Sequence, residues 1–329
     1  MSTEAVRKAA EDFLEGAGLS DEQRAATQFP VEASEWRDWH NVHRAPREGV
    51  SFREMKEPQR ELALQLFAAS LSVKGLEKTK NVMRLNEHLG ELIGKSDEYG
   101  EDLYFITIMG EPSVNQPWGW QLDGHHLVIN YFVLGDQVVL SPSFMGSEPV
   151  SGSGKYAGVR VMQDEQDKGL AFMESLDESQ QAKAMLGKEK SRSDTLAQAF
   201  NDNLVLDYAG IRAADLGASQ KALLVAVIEE YVFNMDEGHA KLRMEEVEAH
   251  LDDTYFAWIG NTGPDSVFYY RVHSPVILIE FDHQGPIALD GPRVPSRRHV
   301  HSVVRTPNGN DYGKDLLRQH REQAAHADR

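Results

Sequence analysis

Two pairs of histidines are the residues of this sequence best suited to chemistry. His125 and His126 are adjacent, whereas His299 and His301 are separated by one residue. Alternate residues of an extended chain share a face, so His299 and His301 have the spacing that lets two imidazoles bind one ion. The adjacent pair points to opposite sides of a strand, so only one of the two faces a given site unless Gly124 bends the backbone. We predict a metal site formed by His125 or His126 together with His299 and His301.

The amino-acid composition limits which metal this site can hold. The chain has no cysteine, which excludes disulfides, thiolate catalysis, and zinc or iron–sulfur sites with cysteine ligands. The ligands must therefore be nitrogen and oxygen atoms, and three or four of them leave an open position for water or substrate. The expected cofactor is a divalent transition metal, namely Zn, Mn or Fe.

Carboxylates and arginines near predicted strand ends complete the candidate site. Glu148 or Glu280 would complete the coordination sphere, and Asp311 is a further carboxylate. One carboxylate would serve as general base, while Arg305 and Arg44 would orient a substrate carboxylate or phosphate. The alternative is structural: the histidines are hydrogen-bonded at strand ends, Arg305 belongs to a surface ion pair, and the strand end at Glu280 emerges into solvent.

Four tryptophans are candidates for the wall of a substrate pocket. Trp118 and Trp120 lie in a predicted strand, and Trp36 and Trp39 lie in a loop-like stretch. Aromatic side chains bury large areas, so the loop pair could instead anchor that stretch to the core. Trp118, Trp120 and the strand residue Asn130 are the candidate substrate-binding residues.

Hydrophobic periodicity predicts which elements position these residues. Helices are expected at 57–72, 75–94, 163–176, 178–186, 219–234 and 244–251. Strands are expected at 103–109, 118–122, 126–134, 137–141, 254–259, 267–272 and 275–281. A hairpin connection is expected at Gly135-Asp136. The Gly/Ser-rich stretch 147–158 is expected to be a mobile loop.

The two predicted sheet regions resemble each other. YFITIMG at 104–110 is echoed by YFAWIG at 255–260, and 118–131 aligns with 268–281 without a gap. Asn130 then falls on Glu280. We predict an α+β protein in which an internal duplication produces two pseudo-symmetric helix-plus-antiparallel-sheet halves, packed as one compact unit. The expected divisions are an N-terminal helix and Trp-rich loop at 1–56, a first half at 57–160, a helical connector at 161–218, and a second half with the His-rich segment at 219–329.

Charge and hydropathy exclude several classes of partner. The net charge of −18 disfavours nucleic acid and anionic membranes, whose phosphates would be repelled. No run of 18 apolar residues occurs, and the charged N-terminal stretch has no signal-peptide core, so we expect a cytoplasmic protein without a membrane segment. A homodimer is plausible because closed two-fold assemblies are the commonest oligomers.

Several of these motifs together resemble a known family, the domain-of-unknown-function family numbered 3500. The resemblance runs from about Trp36 to His320. It rests on PWGW at 117–120, GHHL at 124–127, Asn130, PxFxGxEP at 142–149, YFxWxG at 255–260, HxHSxxR at 299–305, DYG at 311–313 and His320. Arg60 and Leu71-Ser72 match as well. The resemblance implies no activity, but it implies that the His, Glu and Arg positions form a recurring set.

Three functions are compatible with these residues. The first is a metal-dependent hydrolase that activates water toward a small organic substrate. The second is a non-haem metal oxygenase with the same ligands. The third is a non-catalytic small-molecule-binding protein with an aromatic pocket.

Overall fold

The computed structural model describes residues 3–16, 18–202, 204–307 and 309–327. The α-helices in these ranges are α1 (Glu4–Glu11), α2 (Asp21–Thr27), α3 (Glu57–Ser70), α4 (Val73–Ile93), α5 (Gln163–Glu174), α6 (Glu178–Ala184), α7 (Ala218–Val232), α8 (Glu237–Ala249) and α9 (Lys314–Ala327). The strands of the first half of the chain are β1 (Gln28–Phe29), β2 (Val50–Ser51), β3 (Tyr104–Met109), β4 (Trp118–Gly124), β5 (Leu127–Leu134), β6 (Gln137–Val139) and β7 (Ser143–Ser147). Those of the second half are β8 (Met185–Gly187), β9 (Ile211–Arg212), β10 (Tyr255–Gly260), β11 (Phe268–His273), β12 (Leu278–His283) and β13 (Val300–Arg305).

All of these strands belong to one sheet. Its order is β1-β3-β4-β5-β7-β13-β12-β11-β10-β8, with β2 beside β3, β6 beside β5 and β9 beside β10. The pairs β1–β3 and β8–β10 are parallel, and the other described pairs are antiparallel. The pair β7–β13 joins the strands of the first half to those of the second at the centre of the sheet. Helices combined with one large, mostly antiparallel sheet are the architecture expected of an α+β protein.

The element order of the first half recurs in the second. In each half a pair of helices leads directly into a strand that runs parallel to the first long strand, β1 beside β3 and β8 beside β10. A two-residue strand and two further helices follow, and then the long antiparallel strands. Residues 161–218, predicted as a helical connector, thus contain two helices and two strands of the sheet. The order of the long strands is symmetric about the β7–β13 pair, with β5, β4 and β3 on one side and β12, β11 and β10 on the other.

The two faces of the sheet are covered differently. On one face, α1, α3, α4, α5, α7 and α8 pack over alternate strand residues such as Trp120, Tyr131 and Phe281. On the other face, residues within 29–39, 197–199 and 204–206, together with Tyr312 and the start of α9, cover a second, smaller apolar cluster. Because strand side chains alternate between faces, His301 and Arg305 lie on this second face.

Most helices and long strands agree with their prediction within a few residues, but β7 was missed. Residues 143–147 contain two serines and one glycine, which have a weak preference for strands. Their strand structure depends on β5 and β13, which pair with them from either side. The predicted strand at 137–141 is shorter, ending at Val139.

Candidate metal centre

Three imidazoles from distant parts of the chain converge on one point. The Nε2 atom of His126 lies 3.1 Å from that of His299 and 3.0 Å from that of His301. The Nε2 atoms of His299 and His301 are 3.0 Å apart. All three side chains are buried, and we call them the His triad. Nitrogens this close together can all reach one ion at the usual metal–imidazole distance of about 2.1 Å.

Local backbone structure places each member of the triad. His301 lies in β13, and His299 comes two residues earlier on the same face of the extended chain. His126 ends the two-residue turn between β4 and β5 and has φ of +62°. The left-handed conformation is uncommon for a residue with a side chain. Backbone hydrogen bonds hold it there: His126 N–H donates to the Asn41 carbonyl at 3.2 Å, and Gly146 N–H donates to the His126 carbonyl at 2.8 Å.

The triad consists of neutral imidazoles. Burial away from water lowers the pKa of His126, His299 and His301, and for His301 the neighbouring imidazoles lower it further. The Nδ1–H of His299 donates to the Gly285 carbonyl at 2.8 Å. Its Nε2 therefore carries a lone pair directed at the other two rings, which is how metal-binding histidines are oriented in proteins.

Hydrogen bonds alone cannot satisfy the triad. Its three Nε2···Nε2 contacts would need three hydrogens, but His299 has none on that atom, so His126 and His301 supply at most two. At least one contact then brings two like groups together in a buried site, either two lone pairs or two N–H groups. In addition, Nδ1 of His301 is buried without a hydrogen-bond partner among the described residues. A cation among the three lone pairs removes this repulsion, so the donor set fits a metal ion.

His125 does not join the triad. Its Nδ1 lies 2.7 Å from Oδ1 of Asn86, whose amide nitrogen donates to the Gly100 carbonyl at 3.0 Å. The His125 ring stacks beside that of His126, with centroids 3.9 Å apart. On its other side the His125 ring contacts the rings of Tyr99 and His43, whose centroids lie 5.3 and 5.5 Å from its own.

Glu148 is the predicted carboxylate nearest the triad, but its oxygens are already engaged. They accept hydrogen bonds from the backbone N–H groups of Ile287, Ala288 and Leu289. One oxygen lies 3.9 Å from Nδ1 of His299. Glu148 thus holds the start of the segment that follows Gly285, whose carbonyl orients His299.

Glu280, Arg305 and Asp311 lie together in a different region, under the segment 194–202. Glu280 accepts hydrogen bonds from the N–H groups of Leu196 and Ala197 and from the Tyr269 hydroxyl at 2.6 Å. Burial raises the pKa of the Glu280 carboxyl, and these hydrogen bonds oppose the rise. Among the described residues, no carboxylate joins the three histidines as a possible metal ligand.

Arg305 binds carbonyl groups of the same segment. Its guanidinium donates to the carbonyls of Ala197 and Gln198 at 2.6 and 2.8 Å. It also pairs with Asp311 at 2.8 Å and Asp202 at 3.2 Å. All of these partners belong to the protein, and the Arg305 side chain is buried.

The predicted substrate-binding residues are dispersed. Trp118 and Trp120 are fully buried in the core beneath the helices. Asn130 is fully buried and bonded to the Gln121 side chain at 2.7 Å and to the Pro142 carbonyl at 2.9 Å. Arg44 alone lines an open surface, where it pairs with Glu98 at 2.6 Å.

Two adjoining clefts lead toward the triad. The first, of about 290 Å³, is lined by Glu148, His299 and part of the segment 286–298. The second is larger, about 740 Å³, and we call it the outer cleft. Its lining residues are His43, Arg44, Leu92, Ile93, Lys95, Tyr99, Ile287, Ala288, Leu289, Asp290 and Arg298. Leu289, Asp290 and Arg298 line both clefts, so the segment 286–298 borders each of them.

Sequence reasoning missed the groups that support the histidines. The Gly285 carbonyl carries no side-chain signal, and Asn86 lies in the middle of α4, where its pattern is that of an ordinary helix residue. The association of His43 with Tyr99, at 3.2 Å between ring nitrogen and hydroxyl, joins residues 56 positions apart. His43 was visible in the sequence only as one of several polar residues beside Trp36 and Trp39.

Comparison with known proteins gives a family but no activity. The model of the family described as "Protein of unknown function (DUF3500)" matches residues 1–314. No curated protein and no solved structure matches the chain. Within the described ranges, none of the helices combines the length and the apolar character that crossing a membrane requires.

Proposed function

The chain belongs to the DUF3500 family of proteins of unknown function, and we propose from the geometry of its site that it is a metal-dependent hydrolase acting on a small organic substrate. One observation carries this proposal. Three neutral, buried imidazoles have their Nε2 atoms 3.0–3.1 Å apart, and one of them, His299, lines a cleft. Such a donor set is that of catalytic zinc sites with three protein ligands and an open position.

In this proposal His126, His299 and His301 hold the ion, and Zn is the first choice among Zn, Mn and Fe. A bound divalent metal would polarise a substrate carbonyl and activate water for attack at neutral pH. His299 is kept in the correct tautomer by the Gly285 carbonyl. Glu148 acts as a positioning residue, because it fixes the segment that carries this carbonyl and borders the cleft.

Two observations favour hydrolysis over the alternatives. The sites of many non-haem iron oxygenases use two histidines and one carboxylate, whereas the triad includes no carboxylate from the described residues. A non-catalytic pocket walled by tryptophan is disfavoured because Trp36, Trp39, Trp118 and Trp120 are all buried by protein neighbours. We accordingly assign Glu280, Arg305 and Asp311 to holding the segment 194–202, not to catalysis.

We also propose that the two halves arose by internal duplication. The cross-strand pairs Gln121–Asn130 and Arg271–Glu280 occupy the same register in β4–β5 and β11–β12. The alignment that relates these pairs places Val276 opposite His126. In this alignment His126 has no histidine counterpart in the second half, which instead contributes His299 and His301 to the triad.

Cobalt substitution tests whether the centre has the open position that catalysis needs. Protein treated with a chelator and then loaded with Co²⁺ is expected to show visible ligand-field bands. Azide, a small ligand, should change these bands by occupying the open position. No Co²⁺ uptake, or bands indifferent to azide, would contradict a catalytic centre. If the Fe²⁺-loaded protein consumed oxygen with substrate and the Zn²⁺-loaded protein were inert, the oxygenase alternative would replace hydrolysis.

A further inference from the structure

The outer cleft differs in charge from the rest of the molecule. The chain carries a net charge of −18, yet three of the residues lining this cleft are cationic, Arg44, Lys95 and Arg298, and one is anionic, Asp290. Glu98 neutralises Arg44 through a two-pronged contact at 2.6 and 3.1 Å. Two free cations and one carboxylate then leave the cleft with a net charge of about +1.

The two remaining cations are available to a ligand. Lys95 and Arg298 are both exposed, and neither forms an ion pair with another described residue. Arg298 directly precedes His299 and also lines the first, smaller cleft, which this histidine lines as well. A ligand anion bound at Arg298 would therefore lie on the route to the triad.

The same cleft exposes apolar side chains. Ile287 and Leu92 are 59% and 50% exposed, and Ile93, Ala288 and Leu289 complete the apolar lining. Single exposed apolar residues are common on protein surfaces. Here they are gathered in one concave site beside two unpaired cations, a combination typical of small-molecule sites.

We infer that the outer cleft binds an organic monocarboxylate with an apolar body, and that this anion is the recognition group of the substrate. Lys95 and Arg298 bind the carboxylate, while Leu92 and Ile287 pack against the apolar body. The net charge of about +1 suits a monoanion better than a phosphate dianion. This inference rests on the proposed hydrolase, because it places the ligand beside the His triad.

A binding experiment on metal-free protein tests the cleft separately from the metal. The probe is 4-phenylbutyrate, titrated by calorimetry into chelator-treated wild type and into the variant Lys95→Gln/Arg298→Gln. We expect the dissociation constant to rise about tenfold or more in the variant, the size expected for loss of a charged hydrogen bond. The uncharged analogue 4-phenylbutanamide should bind wild type more weakly by a similar factor.

Two controls complete the design. Lys241→Gln/Arg293→Gln removes two exposed cations that do not line the cleft, and it should bind 4-phenylbutyrate like wild type. His301→Ala should also retain this binding, so a failure of the metal proposal would leave the cleft result intact. The inference is overturned if wild type shows no saturable binding at millimolar concentration. It is equally overturned if the amide binds as well as the acid, or if the cleft variant binds unchanged.

Discussion

The Nε2 atoms of His126 and His301 lie 3.0 Å apart, although 175 positions of sequence separate the two residues. The pairing of β7 with β13 at the centre of the sheet brings them together, since β7 also pairs with β5, the strand that follows His126. The candidate centre thus depends on the junction between the two halves of the fold. We expect substitutions elsewhere in the chain to fall into two groups, those that change metal binding and those that change the free energy of unfolding.

Metal binding should stabilise the folded chain. A ligand bound only by the native state adds about 4 kcal/mol to the free energy of unfolding at a concentration a thousand times its dissociation constant. We expect Zn²⁺ to raise the melting temperature of chelator-treated wild type and of Arg293→Gln, an exposed control. His301→Ala should show no such rise in calorimetry. An equal rise in His301→Ala would show that the ion binds elsewhere.

Arg305 is expected to be essential for structure and dispensable for metal binding. Arg305→Met leaves Asp311 and the carbonyls of Ala197 and Gln198 without their buried partner. Removing one member of a buried ion pair costs about 3–5 kcal/mol. Urea unfolding should show this loss, and hydrogen exchange should become faster across residues 194–202. The exposed Arg293→Met provides the control.

Metal content distinguishes this role from the catalytic role that the sequence suggested. Zinc bound by folded Arg305→Met should equal that of wild type. Loss of zinc without faster exchange in the segment 194–202 would instead give Arg305 a direct part in the centre.

Sequence alone predicts the position of some residues of the candidate site and not of others, for a physical reason. The spacing of His299 and His301 follows from strand geometry, so the sequence alone was enough to place both on one face. The choice between His125 and His126 depends on the φ angle of His126, which hydrogen bonds with Asn41 and Gly146 stabilise. These partners are remote in sequence, and no local pattern reports them.

The same explanation applies to the charged residues. Glu280 follows the apolar run 276–279 in a predicted strand, and burial of a carboxylate requires partners. Its partners are the backbone N–H groups of Leu196 and Ala197, which any sequence would offer, together with the Tyr269 hydroxyl. Sequence therefore identifies that a buried charge needs compensation, but only the tertiary structure shows whether a metal, a substrate or the backbone supplies it.

A buried histidine outside the centre should make stability depend on pH. Burial lowers the pKa of His283 to about 3, and its Nδ1 accepts the N–H of Phe268 at 3.0 Å. In the unfolded chain the imidazole has a pKa of about 6.5, so below this pH the unfolded state binds more protons. The free energy of unfolding therefore falls with decreasing pH, and His283 accounts for about 2 kcal/mol of this fall by about pH 5.

The variant His283→Gln isolates this contribution. Urea unfolding of metal-free protein at neutral and acidic pH should show a smaller acid-induced loss in this variant than in wild type. His326→Gln, at an exposed position in α9, should behave like wild type. If the acid-induced loss were the same in His283→Gln, the histidine would not be the source of the pH dependence.

Equivalent glycines offer a test of the relation between the halves. Gly49 and Gly210 precede the short strands β2 and β9 and have φ of +91° and +96°. A Cβ atom would lie 2.4 Å from the Ile106 carbonyl oxygen at Gly49, and 2.0 Å from that of Phe256 at Gly210. Each substitution by alanine should cost well over 1 kcal/mol, because strain and a backbone clash add.

A third glycine variant serves as the comparison for the alanine variants of Gly49 and Gly210. Gly135 also has positive φ, but an added Cβ would meet no atom within 4 Å, so Gly135→Ala should cost only about 1–2 kcal/mol. Thermal unfolding of the three variants tests the expectation. A large loss at one of Gly49 and Gly210 with none at the other would count against equivalent roles in the two halves.

The most direct test of the three-histidine centre is elemental analysis by mass spectrometry of protein purified without a histidine tag. Wild type, His299→Ala/His301→Ala and the exposed control Arg293→Gln would be compared, each with its fold verified by circular dichroism. We expect stoichiometric transition metal, with Zn as the first choice, in wild type and the control, and none in the double variant. Metal in all three proteins, or none in wild type even after reconstitution with Zn²⁺, Mn²⁺ or Fe²⁺, would contradict the assignment of these histidines as metal ligands.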